Sequence, residues 1–372
     1  MVFNNLVGKN HHLEFDIEDV DVSVVNAIRR IIISEVPTVA FDDDLKIIKN
    51  TGALHNEFLS HRLCLIPLHF DADKIADYQK LKYHFQLKVK NTTVSMMDVT
   101  TADFKITDED GNAHTKAFHE QIFPKNAITG DHILITKLKP NLFDKTKGDE
   151  LDIVATATVG TGKMNAKWAP VSLCTYWNVI DEDSAADGLK EYIVAKSSSA
   201  LSDAELEARF NTLDRYRFFK KNEFGEPNAF HFELDSECHM TPAFIFKKAL
   251  LVLIEKITSL AKHLTERDSK HITVEQSNGL TFITVNKEDH TLGNIIQAMV
   301  YNQHIRNARA VGNELTYIGY YKPHPLEDNV VFKLKTNSED PVLFLATACM
   351  GVCNYLESLV TEWDTVTREK PE

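Results

Sequence analysis

Apolar residues along this chain follow two rhythms, and the same switch between them occurs twice. LEFDI (Leu13 to Ile17) alternates apolar and polar positions with a period of two, as a half-buried strand does. After Asp21 the apolar positions Val24, Ile28 and Ile31/Ile32 recur at helical spacing until Pro37 stops them, which predicts a helix over about Val22 to Glu35. TFITV (Thr281 to Val285) and the run from Asp289 to Asn302 repeat this switch 268 positions later. Asp21, Ser23 and Asn26 have counterparts in Asp289, Thr291 and Asn294, where a helix start needs a capping oxygen.

A second correspondence closes each half. Thr241-Pro242 opens a long apolar run, Ala243 to Leu264, and Asp340-Pro341 opens another, Val342 to Trp363. Both place Pro at the first helical position, where its missing N–H costs nothing. Asp21 lies 220 residues before Thr241, but Asp289 only 51 before Asp340, an excess of 169 in the first half. That excess holds a predicted short helix from Leu54 to Cys64 and, from Asp71 to about Thr158, alternating segments such as YHFQLKV and LDIVATA between turns. Residues 181 to 204, rich in Asp, Ser and Ala, read as an exposed loop plus a short helix, and NAFHFEL (Asn228 to Leu234) as a strand.

The predicted fold class is therefore α+β. Two copies of one dimerisation unit form an intramolecular pseudo-dimer, with a mostly β guest domain inserted in the first. The boundaries that follow are 1–41 and 172–268 for the first copy, 42–171 for the guest and 269–372 for the second copy. Each long apolar helix needs a partner, and the other copy can supply it. The expected interface comprises Ile28, Ile32, Phe244, Leu251 and Ile254 from the first copy, and Leu292, Ile295, Ile296, Met299, Phe344, Ala348, Val352 and Leu356 from the second.

Composition narrows the function classes. The 372 residues are 43% hydrophobic and 26% charged, as in an ordinary globular protein, and no apolar run reaches the roughly 18 residues of a membrane span. The first residues, MVFNNLVGKNHH, lack a secretory signal pattern. Five scattered cysteines suit a reducing compartment rather than a disulfide framework. A net charge of −13 argues against a large direct DNA contact, which would need clustered Lys and Arg.

Motifs for catalysis are weak. Gly160-Thr-Gly162-Lys163 invites a phosphate-loop reading, but Ala157 stands where the first glycine should be and Met164 where Ser or Thr should follow the lysine. Cys349 and Cys353, four apart on one helix face, lack a second ligand pair and read as small buried interface residues. The sixteen histidines, His11, His12, His55, His61 and His290 among them, sit in no metalloprotease frame, and Asp42-Asp43-Asp44 reads as a solvated turn. Arg29 and Arg30 stand out as charged neighbours on an apolar helix. They belong either to a solvated face or to a surface that meets a partner's carboxylates.

At this point a family resemblance is legible. VDVSVVNAIRRIIISEVPTVAFD (Val20 to Asp42), NEFLSHRLCLIPL (Asn56 to Leu68) and GTGKMNAKWAPVS (Gly160 to Ser172) resemble the third-largest subunit of eukaryotic RNA polymerase II and the archaeal D subunit. NKEDHTLGNIIQAMV (Asn286 to Val300) and YYKPHPLEDNVVFKLKT (Tyr320 to Thr336) resemble the eleventh subunit and the archaeal L subunit, and similar text opens the helix of the bacterial α subunit. The resemblance covers most of the chain, weakly over about 72–158 and 181–225. It implies a fusion of two normally separate subunits, an arrangement that resembles polymerases of large DNA viruses. The implied role is a non-catalytic assembly subunit that docks the two largest polymerase subunits and small subunits. DNA would be met only through the complex, and neither a membrane nor a homodimer is expected.

Carried onto this sequence, the docking residues would be Asn26, Arg29, Arg30, His61, Arg62, Lys163, Lys167 and Trp168. Many relatives hold zinc or an iron–sulfur cluster through cysteines in the guest domain; here none lies between Asp71 and Val171, so no metal or other cofactor is expected. Location would be the host cytoplasm and the virion for a viral source, or the nucleus for a cellular one. The alternatives are a free-standing transcription adaptor of the same fold and a nucleotide-binding enzyme using Gly160 to Lys163.

Overall fold

The computed structural model describes residues 2–9, 11–43, 45–70, 75, 83–108, 110–196, 202–306 and 315–369. Asp44 of the expected acidic turn, most of 71–82 and residues 197–201 of the Asp/Ser/Ala-rich stretch lie outside them. In chain order, β1 (Phe3–Lys9) and β2 (His12–Glu18) lead into α1 (Val22–Ser34). Next come β3 (Pro37–Phe41), β4 (Lys46–Asn50), α2 (Asn56–Cys64), β5 (His84–Lys90), β6 (Met97–Thr100) and β7 (Phe104–Thr107). After these follow α3 (Lys116–Ile122), β8 (Leu134–Leu138), β9 (Glu150–Thr161) and β10 (Val171–Asn178). Helices α4 (Glu182–Ala195) and α5 (Asp203–Leu213) precede β11 (Ala229–Ser236) and α6 (Pro242–Glu266). The last part is β12 (Ile272–Ser277), β13 (Leu280–Asn286), α7 (His290–Tyr301), β14 (Leu315–Tyr321), β15 (Asn329–Thr336) and α8 (Pro341–Glu369).

The chain forms two compact units. One comprises Met1–Ile32, Leu173–Asp235 and Pro242–Glu372, and the other Ile33–Ser172 with Ser236–Thr241. In the first unit both copies of the repeat share one body. Its two antiparallel sheets have matching orders, β1-β2-β11-β10 and β12-β13-β15-β14. The match extends to register: Glu18 pairs with Ala229 and Phe15 with Phe232, while Asn286 pairs with Asn329 and Ile283 with Phe332. The β2–β11 pairs from Leu13 to Glu18 map onto the β13–β15 pairs from Thr281 to Asn286. A one-residue slip would have turned every apolar side chain to the other face, so the shared register reflects shared inward positions.

Capping explains where the short helices start. One carboxylate oxygen of Asp21 accepts the Ser23 amide at 2.8 Å, and Asp289 accepts that of Thr291 at 2.9 Å. The faces these helices bury include Val24, Ile28 and Ile32 on α1 and Leu292, Ile295, Ile296 and Met299 on α7. Gly293 is required where α7 lies closest to β14, because a Cβ there would sit 2.5 Å from the Tyr320 ring.

The long helices α6 and α8 run antiparallel along each other. The Trp363 indole N–H donates to the Ala243 carbonyl at 3.1 Å, Lys247 pairs with Asp364 at 2.7 Å, and Thr258 meets the Cys353 sulfur at 3.4 Å. Cys353 Sγ also approaches the Ile254 carbonyl at 3.9 Å. Ile254 and Cys353 each lie twelve residues beyond the opening proline, so the pseudo-two-fold passes near this contact. Trp363, 1% exposed, enters an aromatic cluster of the first copy, with ring centroids 5.0 Å from Phe3, 4.8 Å from Phe15 and 4.4 Å from Phe246. Alpha-helix α8 is long and apolar enough to span a membrane, contrary to the reading of the apolar runs. More than half of that apolar window is buried within the fold, as in a core helix.

The expected interface needs correction on α6. Leu251 is 40% exposed and faces outward. Ile254 is half-buried and lies at the contact with α8, and Phe244, also half-buried, follows Ala243, whose carbonyl accepts from Trp363. Ile245, Phe246, Ala249, Leu250, Leu253 and Ile257 are buried. Alpha-helix α6 is apolar on several sides, so spacing alone did not single out its inner face. Phe344, Ala348, Val352 and Leu356 of α8 are buried.

The second unit carries the sheet β3-β9-β5-β7, with β4 also along β9, and the separate pair β6-β8. Phe41, Phe85, Phe104 and Phe123 form its centre, with Phe104 stacked on Phe123 at 5.2 Å and Phe41 edge-on to Phe85 at 5.1 Å. The unit starts at Ile33 rather than Asp42 because β3 joins its sheet, Pro37 to Phe41 pairing with Thr161 to Ala157. Alpha-helix α2 begins at Asn56, two residues later than expected, where the His55 ring accepts the Glu57 amide.

The stretch after β10 differs more. It holds two helices rather than a loop and one short helix. Asp181 caps α4, and Ser202 with Glu205 forms a capping box on α5. Only a few anchors, Ala185, Gly188, Leu206 and Phe210, are buried on these polar helices. Caps rather than periodicity mark them.

Candidate docking surfaces

In the first unit the expected docking residues project from α1. Arg29 directs both Nε and Nη2 at Asn26 Oδ1, at 3.2 and 3.1 Å. Asn26 lies one turn earlier and so sets the guanidinium fork. Among the described residues no carboxylate pairs with Arg29, which leaves its charge for a partner. The Arg29 carbonyl faces Cys174, whose thiol burial pushes up to about 12, so it stays a protonated, inert packing group.

Arg30 has another role. Its Nε donates to Thr291 Oγ1 at 2.8 Å and its Nη2 lies 3.8 Å from Asp289, the cap of α7. The side chain, still 43% exposed, thus ties the first copy to the second. The reciprocal link runs from Asn302 Nδ2 to Asp21 Oδ2 at 2.9 Å. A further strap joins Arg306 of the second copy to Glu226 of the first through two hydrogen bonds of 2.6 and 2.7 Å. That guanidinium holds the Glu226 carboxyl below its usual range. None of these cross-links was anticipated. The capping aspartates were a visible sign for two of them, since each has a second carboxylate oxygen besides the one that caps its helix.

In the second unit, His61 and Arg62 are exposed on α2. Arg62 donates to the Ile135 and Leu134 carbonyls at 3.1 and 2.9 Å, fixing α2 to β8 beside a shallow groove lined by Leu65, Pro67 and Ile133. Lys163 is exposed too. Lys167 and Trp168 are not available to a partner. The lysine is buried over the Trp168 ring, with Nζ on the Phe41 carbonyl at 2.9 Å and Asp43 at 2.8 Å. Trp168 is 8% exposed and donates to the Thr158 carbonyl.

The same neighbourhood removes the nucleotide reading. Gly160 lies in β9 and Gly162 just past its end, and only a three-residue 3-10 turn, Ala166–Trp168, follows rather than the α-helix a phosphate loop needs. A Cβ on Gly160 would fall 2.4 Å from the Trp168 ring, and one on Gly162 would fall 2.2 Å from the Ile33 carbonyl. These glycines permit close packing; they do not cradle phosphate. Cys349 and Cys353 are buried in α8, as the interface reading required.

Two segments match the RNA polymerase Rpb3/Rpb11 dimerisation domain, residues 14–257 and residues 281–362. The chain belongs to that family. It is an Rpb3/Rpb11-like fusion, with both domains in one polypeptide. Relatives include a conjugation stage-specific protein of Tetrahymena thermophila, 32% identical over 182 residues, 44% of this chain and 54% of that protein. Subunit 3 of RNA polymerases II, IV and V of Arabidopsis thaliana is 32% identical over 192 residues, 47% and 57% respectively. RNA polymerase II subunit rpb3 of Dictyostelium discoideum is 28% identical over 296 residues, 69% of this chain and 93% of that one. The chain thus spans about half the length of the first two relatives. All three come from cellular eukaryotes and lend no support to a viral source.

Proposed function

We propose that this chain is a non-catalytic assembly subunit of a multi-subunit DNA-directed RNA polymerase, offering a ready-made dimer to the two largest subunits. The observation that carries this reading is the pair of dimerisation domains sharing register, caps and clasped helices within one unit. A dimer that is covalent from synthesis avoids the translational cost of association and fixes a 1:1 ratio. Arg29, oriented by Asn26, is the docking cation favoured on α1, and His61, Arg62 and Lys163 are the exposed candidates in the second unit. Lys167 and Trp168 support that surface from beneath. DNA would be reached through the complex, consistent with the net charge of −13. The nucleus is the place of action for a cellular source.

Purifying the native protein tests this directly. Co-elution with two chains above about 100 kDa is expected, and Arg29→Ala should weaken that capture while the variant itself stays folded. Elution without large chains would favour a free-standing adaptor of the same fold.

A further inference from the structure

The outer face of the first copy's sheet carries six ionisable side chains in three cross-strand pairs. In the register of β2 against β11, His12 lies opposite Asp235, Glu14 opposite Glu233 and Asp16 opposite His231. The His12 ring has Nδ1 on Asp235 Oδ1 at 2.5 Å and Nε2 on Glu14 Oε1 at 2.9 Å. The His231 ring has Nδ1 on Asp16 Oδ1 at 2.6 Å and Nε2 3.9 Å from Glu14 Oε2. Each imidazole is thus held by an aspartate on one nitrogen and turns the other toward the same glutamate. Asn5 braces Asp16 at 2.7 Å, and Trp177 lies against His231 at 4.5 Å.

We infer that this face binds one divalent cation of the zinc class, with His12, Glu14 and Glu233 as ligands and His231 as the fourth. Ligand atoms of the first three lie within 4.8 Å of one another, which small side-chain rotations reduce to the spacing around an ion bonded at about 2.0–2.2 Å. Two imidazoles with two carboxylates suit zinc better than calcium or magnesium, which favour all-oxygen shells. Asp235 and Asp16 fix the tautomers from outside, as carboxylates do behind metal-bound histidines. Glu14 directly opposite Glu233 is a like-charge pair that destabilises a bare sheet and that a cation would convert into attraction.

The second copy shows that the fold does not require this arrangement. At the matching positions of the same register Phe282 faces Lys333, and the lysine lies over the ring. Another histidine cluster, His263, Asp268 and His271, has its rings stacked at 4.0 Å around one carboxylate and serves as an internal control. The pattern escapes a sequence reading because no two ligands lie closer than His12 and Glu14, and their partners arrive more than 200 residues later.

The test is titration of the chelator-stripped full chain with zinc by calorimetry, and with cobalt(II) followed by visible absorption. One ion per chain is expected, with the absorption bands of tetrahedral nitrogen and oxygen coordination. Binding should vanish in His12→Ala/His231→Ala, weaken about 10–100-fold in Asp235→Asn, and persist in His263→Ala/His271→Ala. Matching circular dichroism of the stripped proteins shows that the variants are folded, and Asp235→Asn, which keeps every ligand, decides the matter if the double variant is not. No binding by the native chain, binding unchanged by the His12/His231 pair and by Asp235→Asn, or binding lost with His263/His271 would each overturn the inference.

Discussion

The two copies of the repeat share strand order, register, caps and a proline-opened long helix, yet matched positions carry different side chains on the junction, on the outer face and in the core. Asp21 and Asp289 both cap, but only α1 carries an arginine that crosses to the other copy. The position matching Arg30 in α7 is Ala298, and the position matching Thr291 in α1 is Ser23, whose buried hydroxyl has no hydrogen-bond partner. A symmetric homodimer would make the Arg30 contact twice; here it is made once. Likewise Trp363 of the second copy fills the first copy's aromatic cluster, while Leu264 stands at its matching position in α6. The shared register fixes which positions face inward, while the side chains at matched positions differ and make one-sided contacts.

The strongest way to break this comparison is at Trp363. Trp363→Ala leaves a cavity among Phe3, Phe15 and Phe246 and should lower stability by about 3–5 kcal/mol. Denaturant unfolding with coincident probes in both copies would read it. If only the second copy loosened, the shared core would be wrong.

A finer cut separates the neighbouring arginines. Arg30→Ala removes a part-exposed hydrogen bond to Thr291 and should cost about 1 kcal/mol. Arg29→Ala should change stability by less than about 0.5 kcal/mol. Equal losses of stability would deny the division between a junction arginine and a docking arginine.

The smallest effect concerns pH. Glu226 has its carboxyl depressed in the folded state by Arg306, so its contribution is fully present above the ordinary glutamate value of about 4.3. It is lost as pH falls through the lower folded value. The pair is part-exposed, so Glu226→Gln should cost well under 1 kcal/mol at pH 7, and the difference from the native chain should disappear in strong acid. A gap that widened with acid would contradict the sign.

The sequence made the repeat legible because capping and alternation are local. The spans from His12 to Glu18 and from Leu280 to Asn286 keep the 268-residue offset at both ends. Legibility failed where the deciding contact is long-range or the pattern is saturated. Leu251 could not be told from Leu250 or Leu253 on a helix apolar on several sides. The contact of Arg30 with Thr291 joins residues 261 apart, and that of Lys167 with Phe41 and Asp43 joins residues more than 120 apart. Helices α4 and α5 bury too few residues to produce a periodic signal. The candidate docking residues were readable as residue types, but which of them face outward was not.

Dividing the chain after Asp268 and co-expressing 1–268 with 269–372 tests the central claim most directly, because it removes the covalent link and leaves α6 and α8 to hold the halves together. The two pieces are expected to purify as a 1:1 complex with Trp363 buried, seen by its fluorescence. Recovery of each piece as a separate folded monomer, with no tendency to associate, would contradict the account.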